Sequence, residues 1–271
     1  MPPGQEPALH PPGTPLVLVD EKDRHHLIQV PDPGLKVRLK GEALDHATLA
    51  ALHDGQLLVT PQRRRYLAFV PTLEQVVMNM PRQAQVIFPK DLAMLLFYAD
   101  VAPGMEVIEV GAGHGALTMA LLRALGPTGR LVSFDVRRDH LNRTRKNVAA
   151  YLGEEFLERW EPVLGDPVAE GFGGRACQRL FSDIPEPWEL MEAAAGAVAP
   201  GGIWAAYLPT ALQLMRQMEA LQAERAFCLP TAFEVLQRYW QVRSPSLRPS
   251  HAMRGHTGFM VLGRRRWLPQ P

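Results

Sequence analysis

Two patterns of hydrophobic and polar positions follow one another along the chain. Up to about residue 70, short runs rich in β-forming residues are separated by turn residues. The runs lie at 16–19, 27–30, 36–39, 56–60 and 66–70. This pattern predicts a small β-rich N-terminal domain over residues 1–71. Thr72 has the position of an N-cap residue and predicts a helix over 73–80, at the start of a second domain that covers residues 72–271.

From about residue 90, helical periodicity alternates with short apolar runs. The predicted helices lie at 91–99, 117–125, 140–152, 188–198 and 212–223. The predicted strands lie at 106–110, 130–135, 160–164, 179–182 and 202–208. Two further strands, near 233–242 and 258–264, have no helix between them and should pair antiparallel at one edge. The predicted fold class is therefore α/β, with a doubly wound, mostly parallel, seven-stranded Rossmann-like sheet.

Composition and charge narrow the class of protein. The 271-residue chain has 46% hydrophobic residues, two cysteines and a net charge of +1, so it has ample core and no disulfide framework. Residues 1–7 lack a signal-peptide pattern, and no apolar run reaches the roughly 20 residues of a membrane helix. We therefore expect a soluble, cytoplasmic protein with no membrane segment. Basic clusters lie at 63–65, 137–138, 143–146 and 264–266, and RNA binding would require several of them to converge.

The turn after the predicted strand 179–182 carries a fixed acid. Residues 181–188 read Phe-Ser-Asp-Ile-Pro-Glu-Pro-Trp, so Asp183 ends an apolar run inside a turn stiffened by two prolines. A carboxylate held beside an aromatic side chain suits the recognition of a flat, hydrogen-bonding ring such as a nucleobase. The alternative is a strand-to-helix turn in which Pro187 lies near the helix start and Trp188 packs into the core.

A glycine-rich turn follows the first predicted strand of this sheet. Gly111, Gly113 and Gly115 let the backbone adopt positive φ and let a ligand approach the start of the next helix. Asp135 ends the following strand, where a carboxylate can bind both hydroxyls of a ribose. The spacing of Gly111, Gly113 and Ala116 also satisfies a dinucleotide fingerprint, so the turn alone does not identify the cofactor.

Two details favour a cofactor other than a dinucleotide. Glu109 lies two residues before the first glycine, where an acid can brace the loop or meet a cationic ligand tail. The glycine trio resembles motif I of S-adenosylmethionine-dependent methyltransferases, and Gly165-Asp166 falls where that class often contacts the adenine of the cofactor.

Four segments resemble one family, the tRNA adenine-58 N1-methyltransferases, and the resemblance covers nearly the full chain. They are the link between modules at 63–74, the loop 80–91 with its Phe-Pro-Lys-Asp ending, the Asp-Ile-Pro-Glu-Pro-Trp turn at 183–188, and the segment 248–259. The sequence departs from the family pattern at Phe88, where tyrosine is usual, and at His114, where serine is common. Asp135 stands where glutamate is often found.

The resemblance implies an enzyme of tRNA modification that uses S-adenosyl-L-methionine to methylate N1 of adenosine 58 in the T-loop and works as a homotetramer. The histidines show no metal-ligand spacing, so we expect no metal. In this hypothesis Asp183 is catalytic, because it accepts a hydrogen bond from the exocyclic amine of an extruded adenine and so orients N1. The residues implied for cofactor binding are Glu109, Gly111, Gly113, His114, Gly115, Ala116, Leu117, Asp135 and Asp166. Those implied for substrate binding are Phe88, Trp188, Tyr207 and His256.

Three other interpretations remain open at this point. A protein isoaspartate methyltransferase has a similar motif I but gives no reason for the Asp183 turn. A non-catalytic or weakly active homologue that binds RNA and cofactor is compatible with Phe88 and His114. A nicotinamide oxidoreductase is disfavoured because nothing here resembles a catalytic Tyr/Lys or His/Arg set.

Overall fold

The chain divides into two compact units. The computed structural model describes residues 10–80, 86–243 and 245–269. The first unit comprises Met1–Gln83 with Ala150–Gly153, and the second comprises Ala84–Ala149 with Glu154–Pro271. The N-terminal residues 1–7 and residues 81–85 of the family-like loop lie outside the described residues. The domain boundary proposed after residue 71 stays a prediction.

The first unit is built mainly from short antiparallel strands. They are β1 (Pro15–Asp20), β2 (His25–Gln29), β3 (Lys36–Leu39), β4 (Glu42–Asp45), β5 (Gln56–Val59) and β6 (Arg65–Phe69). Four of them form a sheet in the order β2-β1-β6-β5, while β3 pairs with β4. The helices are α1 (His46–Ala50) and α2 (Leu73–Asn79). The β-rich character predicted for this region is therefore present, and the Thr72 side chain caps α2 by accepting a hydrogen bond from Gln75 N.

The second unit contains a seven-stranded sheet that confirms the predicted fold class. Its strands are β7 (Glu106–Val110), β8 (Arg130–Asp135), β9 (Trp160–Leu164), β10 (Cys177–Ser182), β11 (Val198–Leu208), β12 (Phe227–Phe233) and β15 (Phe259–Arg265). Between β12 and β15 the chain forms a separate hairpin of β13 (Trp240–Arg243) and β14 (Ser246–Pro249). The order is β12-β15-β11-β10-β7-β8-β9. The five adjacent strands β11, β10, β7, β8 and β9 are all parallel, whereas β15 runs antiparallel to both β11 and β12.

Helices connect and cover these strands. They are α3 (Pro89–Tyr98), α4 (Ala116–Leu125), α5 (Arg138–Tyr151), α6 (Pro167–Glu170), α7 (Met191–Ala197) and α8 (Ala211–Ala223). The core of this unit includes fully buried residues such as Ile108, Leu180 and Trp204. Of the helices in the described ranges, none combines the length and the apolar content needed to cross a bilayer. The parallel strands bring the carboxyl ends of β7, β8 and β10 to one edge, where doubly wound sheets bind ligands.

Two predicted elements were wrong in position. The strand expected near 233–242 is β12, which ends at Phe233, and residues 240–243 belong instead to the β13–β14 hairpin. Pro230 hid this strand in the sequence, because proline is tolerated in a sheet only at an edge or a bulge. Here both conditions hold, since β12 is the edge strand and its register shifts between Cys228 and Thr231. The helix expected from residue 188 begins at Met191, after a 3₁₀ turn over Pro187–Leu190.

Candidate cofactor and substrate site

A cavity of about 520 Å³ opens at the carboxyl ends of β7, β8 and β10. Ligand sites commonly have volumes of about 300–1,000 Å³, so this cavity is large enough for a nucleoside-sized ligand. Its lining comes from the loops after these strands, the start of α4 and the segments before α3 and α8. The lining residues are Val86, Ile87, Gly111, Ala112, Gly113, His114, Ala116, Leu117, Asp135, Val136, Arg137, His140, Asp183, Ile184, Pro185, Pro209 and Gln213.

Gly111 joins the glycine-rich loop to the Asp183 turn. Its φ is +95°, and a Cβ at this position would collide with the main-chain oxygen of Asp183. The Asp183 amide donates a 2.9 Å hydrogen bond to the carbonyl of Val110, directly before the glycine. The two loops are therefore packed backbone to backbone, and only glycine permits this approach.

Gly113 and Gly115 serve different purposes in the same loop. The Gly113 amide donates to Asp135 Oδ2 at 3.1 Å, and a Cβ on Gly113 would meet no protein atom within 4 Å. Gly113 therefore leaves open space on the cavity side of the loop. Gly115 is the N-cap residue of α4 with φ +86°, and a Cβ there would lie 3.0 Å from Thr144 Cγ2 on α5. Gly115 thus supports helix packing and does not line the cavity.

Asp135 is held at the end of β8 by three donors. Its Oδ2 accepts from Gly113 N and from His140 Nδ1 at 3.0 Å, and its Oδ1 accepts from Arg137 N at 2.9 Å. The carboxylate is 7% exposed and faces the cavity. These contacts fix its direction, which suits recognition of a ligand's hydroxyl groups.

The Asp183 carboxylate faces the same cavity in an unusual electrostatic environment. Surrounding protein, with a further contribution from the negative charge of Asp135, raises the pKa of Asp183 to about 7. The residue is nevertheless exposed, because the cavity beside it admits water. We therefore expect the pKa of Asp183 to be raised most when a bound ligand displaces that water.

Glu109 lies beneath the loop in the core and does not line the cavity. Its Oε2 accepts hydrogen bonds from Thr118 Oγ1 at 2.7 Å and from Ser133 Oγ, while its Oε1 has no hydrogen-bond partner among the described residues. Burial is the main reason that the pKa of Glu109 is raised to about 7, and the negative charges of Asp183 and Asp135 add to it. This placement fits the bracing role considered for Glu109, since it ties β7 to α4 and β8.

Of the residues proposed for cofactor binding, Gly111, Gly113, His114, Ala116, Leu117 and Asp135 line the cavity together with Asp183. The structure does not bring Asp166 to the cavity wall. The Asp166 side chain instead caps α6 by accepting a 3.0 Å hydrogen bond from Val168 N. Its proposed contact with the cofactor stays a prediction.

The four residues proposed for substrate binding lie outside the cavity lining. Two of the aromatic rings are paired with arginines: the guanidinium of Arg254 lies 4.4 Å from the ring centre of Phe88, and that of Arg216 lies 5.4 Å from the ring centre of Trp188. Their roles in binding RNA stay predictions.

The other two proposed substrate residues are engaged with the protein. Tyr207 is buried and donates to Asp91 Oδ2 at 3.2 Å. His256 pairs through Nδ1 with Glu234 Oε2 at 3.0 Å, and its Nε2 lies 2.9 Å from the Pro209 carbonyl. Both side chains therefore hold the segments around them in place.

A buried polar network was missed in the sequence. Asp91 is fully buried and accepts hydrogen bonds from Lys90 Nζ and Thr257 Oγ1, both at 2.6 Å, as well as from Tyr207. Lys90 Nζ also donates to the Val235 carbonyl at 2.7 Å. These contacts join the start of α3 to the segment before β15, with the N-cap residue Phe88 one turn away. The neighbouring charges of Lys90-Asp91 were the only local signal of this network.

Three further polar residues line the cavity that were not among those proposed for cofactor binding, although Arg137 belongs to a basic cluster noted in the sequence. Arg137 and His140 follow Asp135 in the β8–α5 connection, and the rule that strand ends meet at one edge predicts such residues near a ligand. Gln213 comes from α8 and donates to the carbonyl of Pro185 at 2.9 Å, which no local pattern indicates.

The strand order, the glycine-rich turn after β7 and the acid at the end of β8 define the class of S-adenosylmethionine-dependent methyltransferase folds. A S-adenosylmethionine-dependent O-methyltransferase from Thermotoga maritima has this fold, with a TM-score of 0.89 and 25% identity over 99% of this chain and 98% of its own. The tRNA (m1A58) methyltransferase TrmI from Aquifex aeolicus superposes with a TM-score of 0.77 at 22% identity, covering 95% of this chain and 98% of that one.

The sequence comparisons identify the family within this class. The chain belongs to the family described as "tRNA methyltransferase complex GCD14 subunit", whose sequence profile matches residues 66–257. The tRNA (adenine(58)-N(1))-methyltransferase TrmI of Thermus thermophilus is 34% identical over 253 residues, 93% of this chain and 97% of that protein. The tRNA (adenine(57)-N(1)/adenine(58)-N(1))-methyltransferase TrmI of Methanocaldococcus jannaschii is 27% identical over 92% of this chain and 94% of its own. The resemblance predicted from the motifs is confirmed.

Proposed function

We propose that this protein is a tRNA methyltransferase that transfers a methyl group from S-adenosylmethionine to N1 of adenosine 58 in the T-loop. The observation that carries the proposal is the backbone contact between Gly111 and Asp183, which joins a glycine-rich ligand loop to an acid on the wall of one cavity. The names of the Thermus and Methanocaldococcus relatives support adenosine N1 as the target.

The residues of the cavity fit S-adenosylmethionine. Its sulfonium and amino groups are positively charged, and the carboxylates of Asp135 and Asp183 face the cavity with Glu109 buried behind the loop. Asp135 suits the ribose hydroxyls, and the open side of Gly113 allows close approach of the ligand. When bound, this cofactor supplies a methyl group activated by a positively charged sulfur.

In the proposed mechanism Asp183 orients the target base. N1 lies on the Watson–Crick edge of adenine, so the nucleotide has to leave its pairing or stacking before it can react. Ionised Asp183 accepts a hydrogen bond from the exocyclic amine, which directs N1 toward the cofactor end of the cavity. Its negative charge also stabilises the positive charge that develops on the ring. Alignment of well-held reactants is worth on the order of 7–11 kcal/mol in such reactions.

The aromatic residues and the C-terminal segment are assigned supporting roles. We assign Phe88 and Trp188 to RNA contacts through their pairs with Arg254 and Arg216, since a guanidinium held on a ring can meet phosphate; Phe88 itself is buried and positions Arg254. Tyr207 and His256 hold the loops before α3 and α8 in position through Asp91 and Pro209.

The proposal includes a cytoplasmic homotetramer that acts on tRNA without a metal. The exposed β13–β14 hairpin supports self-association, because Trp240, Val242 and Leu247 are 59%, 74% and 68% exposed in the single chain. Such an apolar surface is typical of a subunit contact. Among the described residues, no group of three His, Cys, Asp or Glu side chains is arranged to hold a metal ion.

The test is methyl transfer to a defined tRNA. Purified protein is incubated with an unmodified tRNA transcript and methyl-labelled cofactor, and the RNA is digested to nucleosides. We expect labelled 1-methyladenosine, and its loss with a transcript in which guanosine replaces adenosine 58. An isoaspartyl peptide serves as the competing substrate, and calorimetry should detect binding of S-adenosylmethionine and none of NAD.

The alternatives give different outcomes in this experiment. Label in the peptide and none in tRNA would identify a protein methyltransferase. Binding of both tRNA and cofactor without transfer would identify a non-catalytic homologue. Either result would overturn the proposed function.

A further inference from the structure

A strongly basic basin lies on the first unit, formed by residues of that unit alone. It is a cavity of about 420 Å³ at the ends of β1 and β6 and the turns beside them. Six cationic side chains line it: Lys22, Arg24, Lys40, Arg63, Arg64 and Arg65. The carboxylates in its lining are Asp20 and Glu21, so positive charge is in clear excess.

Part of this charge is locked by internal ion pairs. Asp20 accepts from Lys40 Nζ and from Arg24 Nε at 2.9 Å, and His26 Nε2 lies 3.2 Å from it. Lys40 is the main reason that the pKa of Asp20 lies far below its usual value. Arg64 Nε lies 3.3 Å from Glu42 Oε1, whose side chain is 5% exposed. These pairs hold the floor of the basin in one geometry.

The remaining cations have no such partner. The exposed side chains of Lys22, Arg63 and Arg65 make no hydrogen bond or ion pair with any residue that the structure describes. Glu21 is also exposed, and its side chain makes no hydrogen bond or ion pair with the described residues. It is the opposing charge at the rim. Three cations are therefore available to an external anion, against one carboxylate.

The backbone around the basin adopts conformations that favour glycine. Asp23, Lys40 and Arg63 have φ of +56°, +48° and +62°, although none is a glycine. Arg63 lies in the β5–β6 turn, where its amide donates to the Thr60 carbonyl at 2.8 Å. A glycine would adopt this conformation without strain, so the arginine places a charge at the rim against a local conformational preference.

We propose that this basin binds phosphate groups of the RNA backbone and provides a tRNA contact separate from the methyl-transfer cavity. The inference rests on the proposed function for the identity of the RNA. Guanidinium and ammonium groups donate strong hydrogen bonds to phosphate oxygens, and such contacts position a nucleic acid without reading its sequence. The paired cations shape the basin, and the unpaired ones bind the phosphates.

The test measures affinity of the full chain for unmodified tRNA transcript by fluorescence anisotropy at several salt concentrations. The triple variant Lys22→Gln/Arg63→Gly/Arg65→Gln should bind roughly tenfold more weakly at low salt, with a salt dependence shallower by about 2–3 in log–log slope. Arg63→Gly alone should weaken binding several-fold while its melting temperature stays equal or rises, because glycine relieves the positive φ. A binding loss in that variant is not attributable to unfolding.

Two controls complete the experiment. Arg38→Gln removes one exposed positive charge from β3 of the same unit, outside the basin, and should change affinity much less than Arg63→Gln. Glu21→Gln removes the opposing carboxylate and should strengthen binding. Unchanged affinity and salt slope in the triple variant, or an equal loss in Arg38→Gln, would overturn the inference.

The outcome is separable from that of the proposed function. The anisotropy measurement needs no methyl transfer, and the nucleoside digest needs no basin variant. If the wild-type protein forms 1-methyladenosine and the triple variant binds tRNA as the wild type does, the RNA-binding role of the basin is overturned and the methyltransferase function is supported. If the triple variant binds more weakly and no 1-methyladenosine is formed, the role of the basin is supported and the methyltransferase function is overturned.

Discussion

At the residue scale, Asp183 combines access to a ligand with a raised pKa. Its neighbours are the backbone of Gly111 on one side and the cavity on the other. The surrounding protein and the charge of Asp135 raise its pKa to about 7, so its protonation state changes near neutral pH. A carboxylate that must accept a hydrogen bond from an amine works only when it is ionised.

Methyl transfer should therefore depend on pH through Asp183. Single-turnover transfer to tRNA is expected to increase as pH rises through about 7, where the carboxyl group loses its proton. Asp183→Asn should be slower by at least roughly 100-fold and lack this rise, as expected for loss of a positioned catalytic group. Cofactor binding measured by calorimetry should persist in the variant. A wild-type profile flat between pH 5.5 and 8.5, or loss of cofactor binding in Asp183→Asn, would show that the role is misassigned.

Glu109 should make the stability of the fold pH-dependent. Its pKa is about 7 in the folded protein against 4.5 ordinarily, so the folded state keeps a proton that the unfolded chain has already lost. The free energy of unfolding therefore decreases as pH rises from about 4.5 to about 7. Glu109→Gln cannot ionise, so its stability relative to wild type should improve by roughly 2–3 kcal/mol between pH 4.5 and pH 8.

Urea denaturation at both pH values measures this change. Comparing the two pH values cancels any constant cost of the new amide in the core. Glu106→Gln is the matched control, because Glu106 lies on the same strand and is exposed. A difference between wild type and Glu109→Gln that is the same at both pH values would contradict the expectation.

At the scale of elements, the β7–loop–α4 unit was predicted from the chain because its signal is local. A buried strand, three glycines and an apolar helix follow one another within 20 residues, and the structure has them at Glu106–Val110 and Ala116–Leu125. The reason for each glycine is not local. Gly111 is needed because the backbone of Asp183, about 70 residues away, packs against it. Gly115 is needed because Thr144 on α5 packs against it.

Alanine at two of these glycines should separate folding from ligand binding. Gly111→Ala should destabilise the protein by about 2–4 kcal/mol, since it combines positive φ with a backbone collision. Gly113→Ala keeps the strain of φ +55° but meets no protein atom, so its cost should be nearer about 1 kcal/mol. Both should lose S-adenosylmethionine binding in calorimetry. Equal melting temperatures for the two variants would contradict this account.

At the scale of the whole molecule, the exposed β13–β14 hairpin bears on assembly. Light scattering should give about four times the 30.2 kDa of one chain. Val242→Glu adds a charge to the apolar hairpin and should reduce the mass of the assembly, because burying an unpaired charge at an interface is costly. Leu35→Glu, at a 58% exposed leucine of the first unit, is the control and should leave the mass unchanged. A monomeric wild-type protein would refute the tetramer, and an unaffected Val242→Glu would remove the hairpin from the interface.

The sequence alone predicted the fold class, the order of the main elements and the two loops that meet at the cavity. These follow from hydrophobic periodicity and from glycine, proline and acid placement, which act over a few residues. The mispositioned β12 and the unpredicted β4 show the limit of such signals, since Pro230 and the short run at Glu42–Asp45 lack a strand pattern.

Only the tertiary structure decided which side chains meet. It placed Glu109 in the core with Thr118 and Ser133, paired Asp91 with Thr257, and brought Gln213 to the Asp183 turn. It also distinguished paired from unpaired cations in the basin of the first unit. The physical reason is that hydrogen bonds, burial and pKa depend on neighbours distant along the chain, and those neighbours are set by packing and not by local pattern.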